Sequence, residues 1–321
     1  MKRFMRTLAV SFLIFIMLPI TTYAAELIPV GQIIGLELGD DTVTIAAFDE
    51  TCGNRAREAG LRIGDEILEI NDKSINCAED VRAALRSCHG DVEITVLRGA
   101  RRQDVHMVPE NTKEGPRLGI YLWQGITGIG TVTFYDPETK RFGTLGHGVN
   151  DAKGVLLQMR RGNAYAASIQ SVQKGKCGTP GQLKGCAASP TPIGTLLKNT
   201  PQGVFGICEQ GWEGTAIPTA AYEEIRTGNA TIRSTIAGNV IREYSVEILK
   251  IYPKDRSDSR NLLLKVTDPA LLAATGGIVQ GMSGSPIIQD GKLIGAVTHV
   301  LVNDPATGYG ICIENMLDAA A

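Results

Sequence analysis

Ser283 lies in "GMSGSP", between two glycines and directly ahead of two apolar runs. A serine hydroxyl is a poor nucleophile at neutral pH and needs a base to take its proton. Four histidines are available: His89, His106, His147 and His299. His89 stands at the end of a predicted helix, where a cation suits the helix dipole. His106 falls in a predicted strand, and His299 sits inside the apolar strand pattern "GAVTHVLV". His147, in "FGTLGHGVND", sits between glycines at the end of an apolar run, so its ring can project from a turn. It is the expected base. A third group must orient the imidazole and stabilise its charged form. Asp268, fifteen residues before Ser283, can do so if "LLLKV" is a strand ending at the site. Asp151, four residues after His147, is the rival, although such a residue often caps a turn.

The segment also has the form G-x-S-G-x-P, which resembles the G-D-S-G-G-P loop of trypsin-like proteases. That resemblance makes Ser283 the nucleophile and gives the N–H groups of Gly281 and Ser283 to the oxyanion hole. Gly281 and Gly284 would let the backbone take the tight conformation. Ser285 is a rival nucleophile, but it occupies a position that is a second glycine in that loop. The order His then Ser fits the trypsin-like plan and not that of α/β hydrolases.

These side chains need a scaffold. After Arg117 the chain offers many short apolar or alternating runs separated by glycines, such as "GIGTVTFY", "SVEILKIY" and "SPIIQDGKLIGAVTHVLV". Such spacing predicts an all-β barrel or sandwich. Helical pieces are expected at "AAYEEIRTG" and "IENMLDAA". Upstream, residues 29–109 read as a compact unit. Asn76 with Glu79 resembles a capping box that starts a helix running to about Ser87, and a hairpin turns near Gly99. The string "AGLRIGDEILEIN" resembles the PDZ family, whose members bind an extended peptide as an added strand beside a helix. That resemblance gives peptide binding to "IIGLEL", at Gly35, Leu36, Glu37 and Leu38. Residues 110–117 are the expected linker, in the polar stretch "PENTKEGPR" (Pro109 to Arg117) with its two prolines, and 118–321 the peptidase unit.

The N-terminus, residues 1–25, has a basic front at Lys2, Arg3 and Arg6, an apolar run from Leu8 to Ile20, and small residues at Ala24 and Ala25. This is the layout of a secretory signal or, if uncleaved, of an anchor that ties the chain to a membrane. Lys plus Arg number 32 against 34 Asp plus Glu, so the positive field of a general nucleic-acid binder is missing. The seven cysteines form no C-x-x-C pair, which argues against a zinc cluster. Their odd number leaves at least one free thiol, and Cys177 and Cys186 could clip a loop. Small buried thiols are the plainer alternative.

The segments "GIGTVTFYDPETKRFGTLGHGVND" and "KVTDPALLAATGGIVQGMSGSPIIQDGKLIGAVTHVLVNDPATGYGI", with a PDZ unit before them, resemble the stage IV sporulation protein B family of signalling serine peptidases. The resemblance implies a mainly β chain: a PDZ domain followed by a trypsin-like double β-barrel, with His147, Asp268 and Ser283 as triad and no cofactor. It also implies export from the forespore into the space facing the mother cell. There the family cleaves itself and a membrane-bound inhibitor of an intramembrane protease, which leads to activation of the late mother-cell sigma factor. Two features depart from the pattern: Trp123-Gln124-Gly125 stands where a basic-acidic pair is expected, and the middle region is rich in cysteine. The alternatives are a non-catalytic PDZ adaptor with a peptidase-like scaffold, and a housekeeping protease of the HtrA type. HtrA proteases place PDZ units after the protease, which counts against the second alternative.

Overall fold

The computed structural model describes residues 25–39, 42–88, 90–113, 115–123, 126–151 and 154–321. The signal segment up to Ala24, His89 and Gln124-Gly125 lie outside the described residues. Two strands open the chain, β1 (Glu26–Pro29) and β2 (Ile33–Gly39). A smaller unit follows: β3 (Thr44–Phe48), α1 (Asn54–Ala59), β4 (Glu66–Ile70), α2 (Ala78–Arg86), β5 (Val92–Arg98), β6 (Arg101–Met107) and β7 (Ile120–Trp123). The chain then builds β8 (Ile126–Tyr135), β9 (Arg141–Thr144), β10 (Arg161–Gln173), β11 (Gln182–Thr200) and β12 (Gly203–Ile207). The last part holds β13 (Gly228–Thr235), β14 (Ile241–Ile251), β15 (Leu262–Val266), α3 (Pro269–Thr275), β16 (Pro286–Gln289), β17 (Lys292–Leu301), β18 (Asp304–Cys312) and α4 (Ile313–Ala320).

Strand pairing closes two six-stranded barrels. The first runs β2–β8–β9–β12–β11–β10 and back to β2. The second runs β13–β14–β15–β18–β17–β16 and back to β13. Closure leaves no unpaired edge inside either ring. Ile232, Ile248, Leu262 and Ile287 fill the second barrel, all fully buried. Between Tyr222 and Glu224 the expected helix is only a single 3-10 turn, whereas the helix expected at "IENMLDAA" is α4.

The smaller unit has its own core, with Ile45, Ile67, Ile70, Val81, Ile94 and Val96 buried together. Asp65 of the "GLRIGDEI" string is 1% exposed and paired to Arg98, with Nε–Oδ1 and Nη2–Oδ2 both at 2.7 Å. The Asp65 carboxylate also accepts from Arg62 N at 2.8 Å, so the buried charge is both paired and hydrogen-bonded. Helix α2 starts one residue later than expected. The Asp80 carboxylate, not that of Glu79, accepts the Asn76 and Cys77 amides at 2.9 and 3.1 Å. The expected hairpin is present, with Gly99 at φ +64° between β5 and β6.

The domain boundaries need correction. Strand β2 is not part of the smaller unit: it pairs with β8 on one side and β10 on the other. Its residues are buried on both faces, as a central barrel strand requires and a peptide-binding edge strand does not. Residues 110–117 are not a linker between domains. Glu110–Thr112 and Gly115–Arg117 pair with each other, and the chain then re-enters the smaller sheet as β7, beside β3. The peptidase unit therefore does not begin at 118; the PDZ unit is inserted into the first barrel, between β2 and β8.

Candidate active site

The two barrels meet along β8 and the loop after α3. Thr131 N donates to Ser283 O at 2.9 Å, and Thr131 Oγ1 donates to Gly281 O at 2.8 Å. Thr133 Oγ1 donates to Gly284 O at 2.7 Å. The serine loop is thus clamped to the opposite barrel by a strand that precedes it by some 150 positions. Inside the loop, Met282 N donates to Val279 O and Ser285 N to Met282 O, which folds it into consecutive tight turns. Gly281 (φ +100°) and Gly284 (φ +95°) occupy backbone conformations that L side chains rarely adopt. A Cβ on Gly284 would also collide with Thr131 O and Leu145 N. Among the hydrogen bonds of the described residues, neither Gly281 N nor Ser283 N donates to a protein acceptor. Two amides left open in a turn beside a serine are what an oxyanion needs.

His147 reaches the same cleft from the first barrel. After β9, Leu145 (φ +69°) and Gly146 (φ +68°) turn the chain sharply. A non-glycine residue held there costs about 1–3 kcal/mol, a strain that clusters at functional sites. His147 and Ser283 both line a cleft of about 430 Å³, together with Gly281, Thr298 and His299. Nδ1 of His147 lies 2.9 Å from Gly148 O. A carbonyl only accepts, so Nδ1 carries the proton and Nε2 keeps its lone pair, as a general base requires. Burial pushes the His147 pKa down, opposed by the Gly148 carbonyl.

Three arrangements differ from expectation. Ser283 Oγ does not bond to His147; it donates to Thr298 O at 2.7 Å. Asp268 is not brought to the imidazole and lines neither cavity that His147 lines. Its Oδ1 accepts from Ala270 N (2.9 Å) and Leu271 N (3.0 Å), so it is the N-cap of α3 ahead of Pro269. "Asp-Pro" before a short apolar run is a helix-start signal, and it was legible in the sequence. Asp151 serves a turn instead, accepting from Val155 N at 3.0 Å. Ser285, the rival nucleophile, is fully buried and donates to Ser234 Oγ at 3.1 Å.

Sequence reasoning missed two groups. The His299 ring lies 5.0 Å from that of His147, centroid to centroid, tilted by 43°. Burial, and then the neighbouring His147, push its pKa down to about 4. Its Nδ1 is buried without a partner among the described residues. Among the described residues, Asp258 is the only carboxylate lining a second, smaller cavity that also holds His147 and His299. Arg256 fixes it through Nε–Oδ1 at 2.6 Å and Nη2–Oδ2 at 3.0 Å, and lowers its pKa. Nothing local marked Asp258.

The PDZ groove is also elsewhere than expected. Gly35, Leu36, Glu37 and Leu38 lie in β2, where Leu36 and Leu38 line the catalytic cleft and Glu37 accepts from Tyr165 Oη at 2.6 Å. The smaller sheet has edges at β7 and β6, and β7 is the edge that borders a groove. A groove of about 670 Å³ runs between β7 and α2, lined by Leu118, Ile120, Leu122, Val81, Arg82 and Arg86 among others. "RLGIYL", residues 117–122, carries the same apolar-Gly-apolar-x-Leu pattern as "IIGLEL", but after the helices and not before them. All seven cysteines are unbridged, and Cys177 and Cys186 are exposed. Among the described residues, no helix is long and apolar enough to cross a membrane.

A PDZ-domain family profile matches residues 55–98. A 59-residue stretch, 18% of this chain, is 39% identical to the protein named mitochondrial serine protease HTRA2 of Drosophila persimilis. It spans only 14% of that relative's length. Among solved structures, the active form of the Rv3671c protease of M. tuberculosis aligns over 75% of this chain and 82% of its own, with 16% identity and a TM-score of 0.37. The PDZ domain of an SdrC-like protein from Listeria monocytogenes aligns over 26% of this chain and 87% of its own, with 22% identity and a TM-score of 0.23. The profile described as SpoIVB peptidase S55 matches residues 114–317, and by that match the chain belongs to the SpoIVB peptidase S55 family and is a serine peptidase.

Proposed function

We propose that this serine peptidase is an exported endopeptidase of sporulation signalling, working in the space between forespore and mother cell. In this reading it cleaves itself and a membrane-bound regulator of an intramembrane protease, which leads to activation of the late mother-cell sigma factor. The PDZ unit takes an extended peptide along β7. The observation that carries the chemistry is the juxtaposition in one cleft of an imidazole with a free Nε2, a serine in a turn, and two open amides. The family membership supports the cellular role.

Catalysis begins when the Ser283 hydroxyl leaves Thr298 O and turns toward His147. Nε2 of His147 takes its proton as Oγ attacks the peptide carbonyl. Gly281 N and Ser283 N receive the oxyanion. His147 then gives the proton to the leaving amine, and water hydrolyses the acyl-enzyme by the same steps. Meanwhile the Gly148 carbonyl holds the ring through Nδ1.

A non-catalytic PDZ adaptor is the second reading. It draws on the resting bond from Ser283 to Thr298 O and on the distant placement of Asp268. A fluorophosphonate probe separates the two: an activated serine labels, and a scaffold does not. The purified chain is expected to label and to shorten itself, and Ser283→Ala to do neither. Equal fragmentation of both would sink self-cleavage through Ser283.

A further inference from the structure

The cleft beside Ser283 is apolar, and its charge content is informative. On the side of the second barrel its walls are Ile278 and Val279, just upstream of the nucleophile, and Val300 and Val302, just beyond Thr298. Pro180 closes it from the loop between β10 and β11. Ile278 and Val279 are 2% and 1% exposed, so these wall residues are anchored in the barrel core. Among the described residues no Asp, Glu, Lys or Arg lines the cleft, and both of its histidines are held neutral near pH 7 by burial.

Resting on the peptidase reading above, we propose that this cleft selects a branched aliphatic side chain (Val, Ile or Leu) on the residue whose carbonyl is attacked. The nucleophile fixes where that carbonyl must lie. The side chain on the same residue then projects from the serine loop onto the adjoining wall, which Ile278, Val279 and Val300 build. An aliphatic side chain loses its contact with water there and meets a wall that is mostly carbon. A Lys, Arg, Asp or Glu side chain would be stripped of water with no counter-charge, a cost that excludes it. One methylene more or less in such a pocket changes selectivity by roughly 10-fold or more.

The test uses the full chain and a set of peptidyl diphenyl phosphonates that differ only in the side chain at this position: Val, Leu, Ala, Lys and Asp. Labelling by the Val and Leu probes is expected to be at least ~10-fold faster than by Ala, and about 100-fold faster than by Lys or Asp. Val302→Asp, on the exposed rim of the cleft, should move the Lys-to-Leu ratio toward Lys by about 10-fold. Labelling that depends on Ser283 but is as fast with Lys or Asp overturns the proposal and leaves the peptidase reading standing. No labelling by any probe, nor by a simple fluorophosphonate, overturns both.

Discussion

At the scale of single residues, one carboxylate separates fold from catalysis. Asp268 accepts two amides of the first turn of α3, and removing such a cap costs about 0.5–2 kcal/mol. Asp268→Ala is therefore expected to lower the denaturation midpoint, whereas Asp268→Asn, which keeps the acceptor, should hold it. Peptide hydrolysis by the Asn variant at unchanged stability completes the test: a large loss of rate would mean that the carboxylate reaches His147 in the competent state. The two histidines predict a pH effect of definite sign. The folded pKa of His299 is about 4, below the unfolded value of about 6.5. The folded protein thus binds fewer protons than the unfolded chain between those limits, and stability falls as pH drops from about 6.5 to about 4. Thermal midpoints across that window should show the slope, and His299→Leu should flatten it. His147 is shifted in the same direction, so the acid limb of kcat/KM should lie below pH 6.5.

At the scale of elements, the edge strand of the PDZ sheet decides where a peptide can add. Strand β7 pairs only with β3 and faces the groove with its other side, whereas β2 has no free edge. Titration with a C-terminal peptide should therefore shift the amide signals of Ile120 to Trp123 and of α2, leaving Leu36 to Leu38 unmoved. Movement at β2 instead would restore the placement first read from the sequence. That placement failed because "IIGLEL" and "RLGIYL" share the pattern apolar-Gly-apolar-x-Leu. Local pattern cannot say which of two such runs pairs with which sheet.

At the scale of the whole molecule, the insertion is the main architectural fact. The chain leaves the first barrel after Gly39 and returns at Ile126, and Ile126 pairs directly with Leu38. Both exits lie beside the cleft, since Leu38 and Ile126 each line it. The excised ends are already neighbours in an antiparallel ladder, so a short turn can join them. Replacing residues 39–125 by a two-residue Asn-Gly turn is expected to leave a double barrel that unfolds cooperatively by circular dichroism. Loss of cooperativity would show that the PDZ unit supports the barrel and is not merely carried by it.

The sequence by itself determined the residue types that can do the chemistry, a serine between glycines and a histidine freed by glycines, and it marked the PDZ string. These are local signals, because backbone conformations open only to glycine and buried ion pairs constrain residue identity at their own positions. The mainly β class was also legible, through short alternating runs that left barrel or sandwich open, and the double barrel followed only from the family resemblance. Only the tertiary structure decided which sheet β2 joins, which strand offers the free edge, and that His299 and Asp258 share a cavity with His147. It likewise gave Asp268 to a helix cap. Each of those depends on strand pairing between segments far apart in the chain. Such pairing is selected by the burial of whole faces at once, and no single run of residues records it.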